Sequence, residues 1–197
     1  MNNAPINITS IADPSTRNSL NAVRDRIGFV PILFATLAQQ PGVVESFVAL
    51  DDAFSATSLS PIERQVVLLT ASVENEGAYC VAGHTIFARS IGMPEQAVEA
   101  IRSGNKPDDP RLAALQAFVA KLVQNRGHVM PADVDRLVRS GFSREQILEI
   151  IMGVTLKTFS NYVDSAMKIS LDTAFEHAAW QPIVSPPADA VSATKSR

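Results

Sequence analysis

The chain is poor in the residues that would support a redox dithiol or a metal centre. Its 197 residues include one cysteine, one tryptophan, two tyrosines and three histidines. A single cysteine excludes a disulfide within the chain and is typical of a protein from a reducing compartment. The first residues carry neither the basic region nor the apolar run of a signal peptide, so we expect a cytoplasmic location.

Charge and hydropathy argue against two classes of partner. The net charge of −3 gives no electrostatic reason to bind nucleic acid or an anionic membrane. No uninterrupted apolar run reaches the length that spans a bilayer, so we expect neither nucleic acid nor a membrane as partner. The apolar fraction of 46% is high for a soluble monomer and suggests that a second subunit covers part of the surface.

Capping residues and glycines predict an all-α fold. Ser60 to Glu63 and Ser143 to Gln146 have the pattern of capping boxes at helix starts. Four glycines each follow a short segment that bears a cation, which is typical of helix C-termini: Gly92, Gly104, Gly127 and Gly141. The helix over 61–74 is apolar nearly all round, which favours a central, buried position.

We predict one domain over residues 1–180, irregular over 1–13, and a loose tail over 181–197. The last predicted helix is long, and a break is favoured near Asn161 or near Ser170. The predicted helices cover residues 15–27, 31–39, 41–57, 61–74, 78–91, 94–102, 109–125, 131–139 and 143–178.

The only cysteine stands four residues before a histidine. In a helix, Cys80 and His84 share one face, and an imidazole beside a thiol favours a nucleophilic thiolate. Asn75 or Glu76 is expected to cap this helix, which leaves Cys80 in its first turn, where the helix dipole favours the same anion. A free cysteine is also often a small buried hydrophobe, so an inert structural role stays open.

Three further residues are candidates for the site. Gln65, polar among apolar neighbours, either points into the site or lies at a partly exposed position. Tyr79 either donates a proton or fills space at the helix start. Gly77 occupies the position where a redox dithiol would place its second cysteine. Ligand spacing and nucleotide-binding motifs are absent, so we expect no metal and no cofactor.

Several stretches together resemble the carboxymuconolactone decarboxylase family, in its alkylhydroperoxidase D-like (AhpD-like), peroxidase-related branch. The likeness covers roughly residues 25–180, with a family core at about 45–125. The stretches that carry it are Gly28–Leu33, Gln40–Val43, Leu59–Gln65, Tyr79–Thr85, Asn161-Tyr162 and Leu171–Trp180. The resemblance implies an AhpD-like helical bundle with the active-site helix in the core, and homo-oligomers, commonly dimers, trimers or hexamers.

The resemblance also assigns roles by position. The family motif is a Glu, a Cys-x-x-Cys pair and a His, in which the second cysteine attacks peroxide, the first resolves the sulfenic acid, and Glu and His relay protons. The attacking position falls on Cys80 and the histidine position on His84. The Glu position falls on Gln65 and the resolving position on Gly77, so a two-cysteine cycle cannot run within this chain.

The resemblance therefore implies a thiol-dependent hydroperoxide reductase with one peroxidatic cysteine, restored by an external thiol reductant. Two alternatives stay open, since a fold alone does not fix a function. One is an impaired homologue that binds a small ligand or a partner without turnover. The other is a lyase, such as a lactone decarboxylase, although true decarboxylases of the family look acidic at the Cys80 position.

Overall fold

A computed structural model describes residues 6–182, and within that range every regular element is helical. The predicted all-α class is therefore confirmed. Short 3₁₀ turns lie at Ile8–Ser10 and Thr173–Ala178. The α-helices are α1 (Pro14–Ile27), α2 (Ile32–Leu37), α3 (Pro41–Ser55), α4 (Pro61–Glu74), α5 (Ala78–Ser90), α6 (Glu95–Arg102), α7 (Pro110–Gln124), α8 (Pro131–Arg139) and α9 (Arg144–Met167).

Both predicted capping boxes form. The Ser60 hydroxyl accepts from the Glu63 backbone N–H, and the Glu63 carboxylate accepts from the Ser60 N–H at 2.8 Å. Ser143 and Gln146 make the same reciprocal pair at the start of α9. These caps fix where α4 and α9 begin, and both helices carry residues of the site described below.

Helix α4 is the centre of the bundle, as its apolar composition predicts. Val66, Val67 and Leu69 are fully buried. The helix packs against α5, α7 and α9, and α5 also packs against α9. Helices α4, α5 and α9 therefore all contact one another, and side chains from these three helices reach a common space. None of the helices within residues 6–182 combines the length and apolar character needed to cross a bilayer.

The last helix is shorter than predicted. It ends at Met167, where Lys168 adopts a left-handed conformation and its N–H bonds to the Asp164 carbonyl. The chain then continues to the 3₁₀ turn, so the break near Ser170 is the better of the two predictions. Asn161 does not interrupt the helix, because its side chain bonds to groups outside α9. The predicted tail lies outside the described residues, apart from 181 and 182.

Helix α9 approaches α3 and α4 closely at Gly153. A Cβ atom there would lie 2.6 Å from the Phe54 ring and 2.8 Å from Val67 Cγ1. Both neighbours are fully buried, so neither can move aside without disturbing the core. The glycine thus sets the spacing at which α9 presents its side chains to the other two helices.

We expect Gly153→Ala to lower the free energy of unfolding by about 1–3 kcal/mol through overpacking, although alanine is the better helix former. Gly42→Ala is the matched control, because Gly42 lies in α3 with no other group within 4 Å of the added Cβ. That control should be neutral or stabilising by about 0.5 kcal/mol. Urea unfolding measures both, and equal effects of the two changes would contradict the close approach.

Candidate active site

A cavity of about 270 Å³ lies where α4, α5 and α9 meet. It is lined by four of the five candidate residues, Cys80, His84, Gln65 and Tyr79. The fifth candidate, Gly77, does not line the cavity. Much of the remaining wall is phenyl: Phe34, Phe47, Phe54, Phe87 and Phe175. A space of this size and character suits a small, largely apolar molecule.

Cys80 lies in the first turn of α5, as predicted, but the N-cap is Gly77 and not Asn75 or Glu76. Glu76 takes a left-handed conformation (φ 54°) that ends the preceding turn, so the helix begins later than capping chemistry suggests. The N-cap has no side-chain hydrogen bond. The Tyr79 N–H of this turn donates instead to the Asp164 carboxylate at 3.2 Å, so an anion from α9 already occupies one of the donors at the start of α5.

The thiol of Cys80 is 3% exposed and contacts two side chains of α9. Its Sγ donates to Ser160 Oγ at 3.5 Å, and Lys157 Nζ lies 4.0 Å away. The Ser160 hydroxyl in turn donates to the Lys157 carbonyl at 3.1 Å. A cation and a hydroxyl from one turn of α9 thus face the sulfur.

Lys157, His84 and Gln65 form a chain of contacts across the three helices. Lys157 Nζ lies 2.8 Å from His84 Nε2, and His84 Nδ1 lies 3.0 Å from Gln65 Oε1. An ammonium only donates and an amide oxygen only accepts, so the imidazole is neutral, with its proton on Nδ1. Gln65 lines the cavity with its amide oxygen turned toward His84.

Burial lowers the pKa of His84 well below its ordinary value of 6.5, and the neighbouring Lys157 charge lowers it further. A histidine in this state does not supply positive charge to the thiol. The imidazole that the sequence places beside Cys80 is therefore neutral, and it contacts a lysine that supplies the positive charge.

Asn161 explains why a glycine stands at position 77. A Cβ on Gly77 would lie 2.3 Å from Asn161 Nδ2 and 2.7 Å from its Cγ. The amide is held in place by Asn75, whose Nδ2 donates to Asn161 Oδ1 at 3.1 Å, and by Ser72, to which it donates at 3.4 Å. The space that a second cysteine would need is filled by this amide.

Tyr79 lines the cavity but has its hydroxyl engaged elsewhere. It donates to the Asp172 carboxylate and accepts from the Leu33 N–H at 3.3 Å. Burial raises the pKa of Tyr79, and the Asp172 charge raises it further. Of its two predicted roles, filling space fits this geometry, because the hydroxyl ties α5 to the segment after α9.

Sequence reasoning missed Lys157 and Ser160, which are separated from Cys80 by more than seventy residues. One signal was available. The buried face of α9 runs through Ile150, Gly153 and Leu156 at helical spacing, and Lys157 falls on the same face. A lysine on the buried face of a helix is unusual, and it indicates that the ammonium has a specific partner. Within residues 6–182, no group of three or more His, Cys, Asp or Glu side chains is placed to hold a metal.

The fold and the site together define an all-α protein with a single thiol at the start of a core helix. Residues 41–120 match the model of the carboxymuconolactone decarboxylase family. The predicted resemblance is confirmed: the family model matches this segment, and the bundle has the fold of AhpD-like, peroxidase-related proteins. No curated protein matches the chain.

Three solved structures illustrate the likeness. A peroxidase-related protein with an alkylhydroperoxidase AhpD core, from Ralstonia eutropha, is 25% identical, with a TM-score of 0.78 over 87% of this chain and 92% of its own. A peroxidase-related protein from Silicibacter is 21% identical, with a TM-score of 0.75, and the match covers 89% of this chain and 95% of that protein. The debrominase Bmp8, as an alanine variant in complex with 2,3,4-tribromopyrrole, is 18% identical, with a TM-score of 0.77. The match covers 90% of this chain and 95% of that protein.

The depressed pKa of His84 predicts a loss of stability in mild acid. As the pH falls below 6.5, the unfolded chain takes up a proton that the folded site refuses, so the stability present above 6.5 declines. We expect a slope of about 1 kcal/mol per pH unit between roughly pH 6 and 5 from this group. Urea unfolding at a series of pH values measures it.

His84→Gln should flatten this slope, whatever its effect on stability at pH 7.5. His128→Gln is the matched control, since that imidazole is exposed and lies outside the site. It should keep the wild-type slope. A wild-type slope in His84→Gln would show that the folded site accepts the proton and that the imidazole is not held neutral.

Proposed function

We propose that the protein is a thiol-dependent hydroperoxide reductase in which Cys80 is the only redox-active nucleophile. The observation that carries the proposal is the position of Lys157 Nζ, 4.0 Å from Cys80 Sγ and 2.8 Å from His84 Nε2. A cation at this distance favours the thiolate, which is the form of cysteine that attacks a peroxide.

The charge balance of the site supports a thiolate. Lys157 is 5% exposed, and within residues 6–182 it forms no ion pair with a carboxylate. A buried charge is costly unless an opposite charge or good hydrogen bonds compensate for it. Ionised Cys80 would be an opposite charge within reach, 4.0 Å from Nζ.

The first step oxidises the cysteine. The thiolate attacks the distal oxygen of the hydroperoxide, an S–O bond forms and the O–O bond breaks. The leaving alkoxide takes a proton from the Lys157 ammonium, which gives a sulfenic acid on Cys80, a neutral amine and an alcohol. His84, fixed by Gln65, acts as a positioning residue that keeps Nζ beside both the sulfur and the departing oxygen.

The second step needs a partner, because the chain has no other cysteine. An external thiol condenses with the sulfenic acid to give a mixed disulfide and water, and a second thiol releases Cys80. A cytoplasmic location, which would supply such thiols, belongs to the proposal. The phenyl wall favours an organic hydroperoxide with an apolar body over hydrogen peroxide.

A homo-oligomer is also part of the proposal. Helix α9 exposes an apolar stripe at helical spacing: Leu148 at 70%, Ile151 at 41%, Phe159 at 41% and Tyr162 at 66%. Such a stripe on one helix is typical of a surface that another subunit covers. The stripe does not distinguish between the sizes considered from the sequence, a dimer, a trimer or a hexamer.

A second candidate is thiol-dependent dehalogenation of a small aromatic ring. It is favoured by the phenyl-lined cavity beside Cys80 and by the fold shared with the debrominase Bmp8. The overall change replaces a carbon–bromine bond with carbon–hydrogen, oxidises two thiols to a disulfide and releases bromide and a proton. Bromide release from a bromopyrrole with excess thiol, absent in Cys80→Ser, would select this function over peroxide reduction.

Lys157→Met should slow oxidation of Cys80 by an organic hydroperoxide about tenfold or more at pH 7, because the thiolate loses its cation. Lys157→Arg should retain part of the rate, since a positive charge stays near the sulfur. The rate is read by mass spectrometry with a sulfenic-acid trap, over a range of pH.

Lys106→Met is the matched control, because that lysine is exposed and remote from the cavity, and it should oxidise at the wild-type rate. Cys80→Ser should give no trapped product. A wild-type rate equal to that of a free thiol, and unchanged in Lys157→Met, would contradict the peroxidase function. It would favour the ligand-binding alternative or, if a lactone is turned over, a lyase.

A further inference from the structure

We propose that Lys157 takes the place of the missing resolving cysteine, its amine condensing with the sulfenic acid of Cys80 to form an Sγ–Nζ sulfenamide. The proposal rests on the oxidation of Cys80 described above. It assigns the site a reversible covalent crosslink between α5 and α9, which protects the sulfur until an external thiol arrives.

No thiol in the chain can trap the sulfenic acid. Cys80 is the only cysteine, and the usual resolving position at Gly77 is filled by the Asn161 amide. A sulfenic acid without a thiol partner reacts with a nearby nitrogen, or is oxidised further to the irreversible sulfinic acid. The fate of oxidised Cys80 therefore depends on which nitrogen lies closest.

The nearest side-chain amine is already in place. Lys157 Nζ lies 4.0 Å from Sγ, both groups are almost fully buried, and the two helices that carry them pack against each other. The lysine stem has four flexible carbons, whose rotation moves Nζ relative to the sulfur. The other neighbour of the sulfur, Ser160, offers a hydroxyl and no nitrogen.

Oxidation leaves Lys157 in the form that can react. The ammonium gives one proton to the alkoxide that departs from the peroxide, so a neutral amine faces the new sulfenic acid. The amine nitrogen then attacks sulfur, the S–N bond forms, and the S–O bond breaks. The departing hydroxyl takes a proton from the nitrogen, by way of His84 Nε2, and leaves as water.

The crosslink is reversible by the same reductant class that the proposed function uses. A thiol attacks the sulfenamide sulfur, which gives a mixed disulfide on Cys80 and returns the Lys157 amine. A second thiol then releases the Cys80 thiol. Atoms and electrons balance with one peroxide and two thiols per cycle, as they do for the direct route.

Treatment of the full chain with one equivalent of organic hydroperoxide, without thiol, tests the proposal. The peptide containing Cys80 should be found joined to the peptide containing Lys157, with a mass about 2 Da below the sum of the two reduced peptides. The product should not react with a sulfenic-acid trap, and dithiothreitol should restore both peptides. A disulfide cannot mimic this loss, because the chain has one cysteine.

Lys157→Arg is the matched variant, since a guanidinium keeps the charge but is not an available amine. It should accumulate sulfenic acid, about 16 Da heavier and reactive with the trap, and should pass to sulfinic acid with excess peroxide. Cys80→Ser should show neither product. The mapping of the crosslink in the wild-type chain stands even if the variant folds poorly.

The outcomes separate this proposal from the proposed function. A trappable sulfenic acid that persists in the wild-type chain overturns the crosslink and leaves the peroxidase function standing. A link from Cys80 to another nitrogen, or one about 14 Da heavier than the reduced pair and thus bridged by oxygen, also overturns it. Absence of any Cys80 oxidation overturns both.

Discussion

The contact between Lys157 and His84 is the interaction on which the site depends. It joins α9 to α5, and through Gln65 it extends to α4, the central helix. Each member fixes the next: the amide oxygen sets the imidazole proton on Nδ1, the free Nε2 accepts from the ammonium, and the ammonium is held near the thiol. If Gln65 were turned to present its amino group, the imidazole would carry its proton on Nε2, where it would face another donor. The network is therefore consistent with one orientation of the glutamine and one tautomer of the histidine.

This network gives Gln65 and Lys157 complementary roles. A glutamate at position 65 would exchange protons with His84, whereas a glutamine only orients it. A neutral, oriented imidazole offers a lone pair to a donor on its other side, and Lys157 is that donor. Where the motif of alkylhydroperoxidase D proteins has a glutamate, Gln65 presents a fixed dipole to His84, and Lys157 places a positive charge on the other side of the imidazole. At Gly77 the departure is steric, since Asn161 occupies the volume and is held there by hydrogen bonds.

Local chemistry made much of this molecule predictable. Capping boxes gave the starts of α4 and α9, the apolar run at Val66 to Leu69 gave the buried centre, and helical spacing put Cys80 and His84 on one side. The N-cap of α5 was placed too early, because Glu76 adopts a left-handed conformation that side-chain preferences do not reveal. Lys157 and Ser160 could not be predicted as site residues, because their contacts with Cys80 are tertiary contacts between different helices. Spacing within one helix shows which residues share a face, but it cannot show what that face meets.

The buried lysine also bears on whether the site is inert. At its depth in α9 the flanking core positions are Ile150 and Leu156, and an apolar side chain at 157 would pack without any electrostatic cost. An ammonium there costs several kcal/mol if its only compensation is a neutral imidazole. In the proposed reductase the Cys80 thiolate, 4.0 Å away, is the opposite charge that compensates for the ammonium. This pairing of a buried lysine with the only thiol is the physical reason to propose a reactive Cys80 over a structural one.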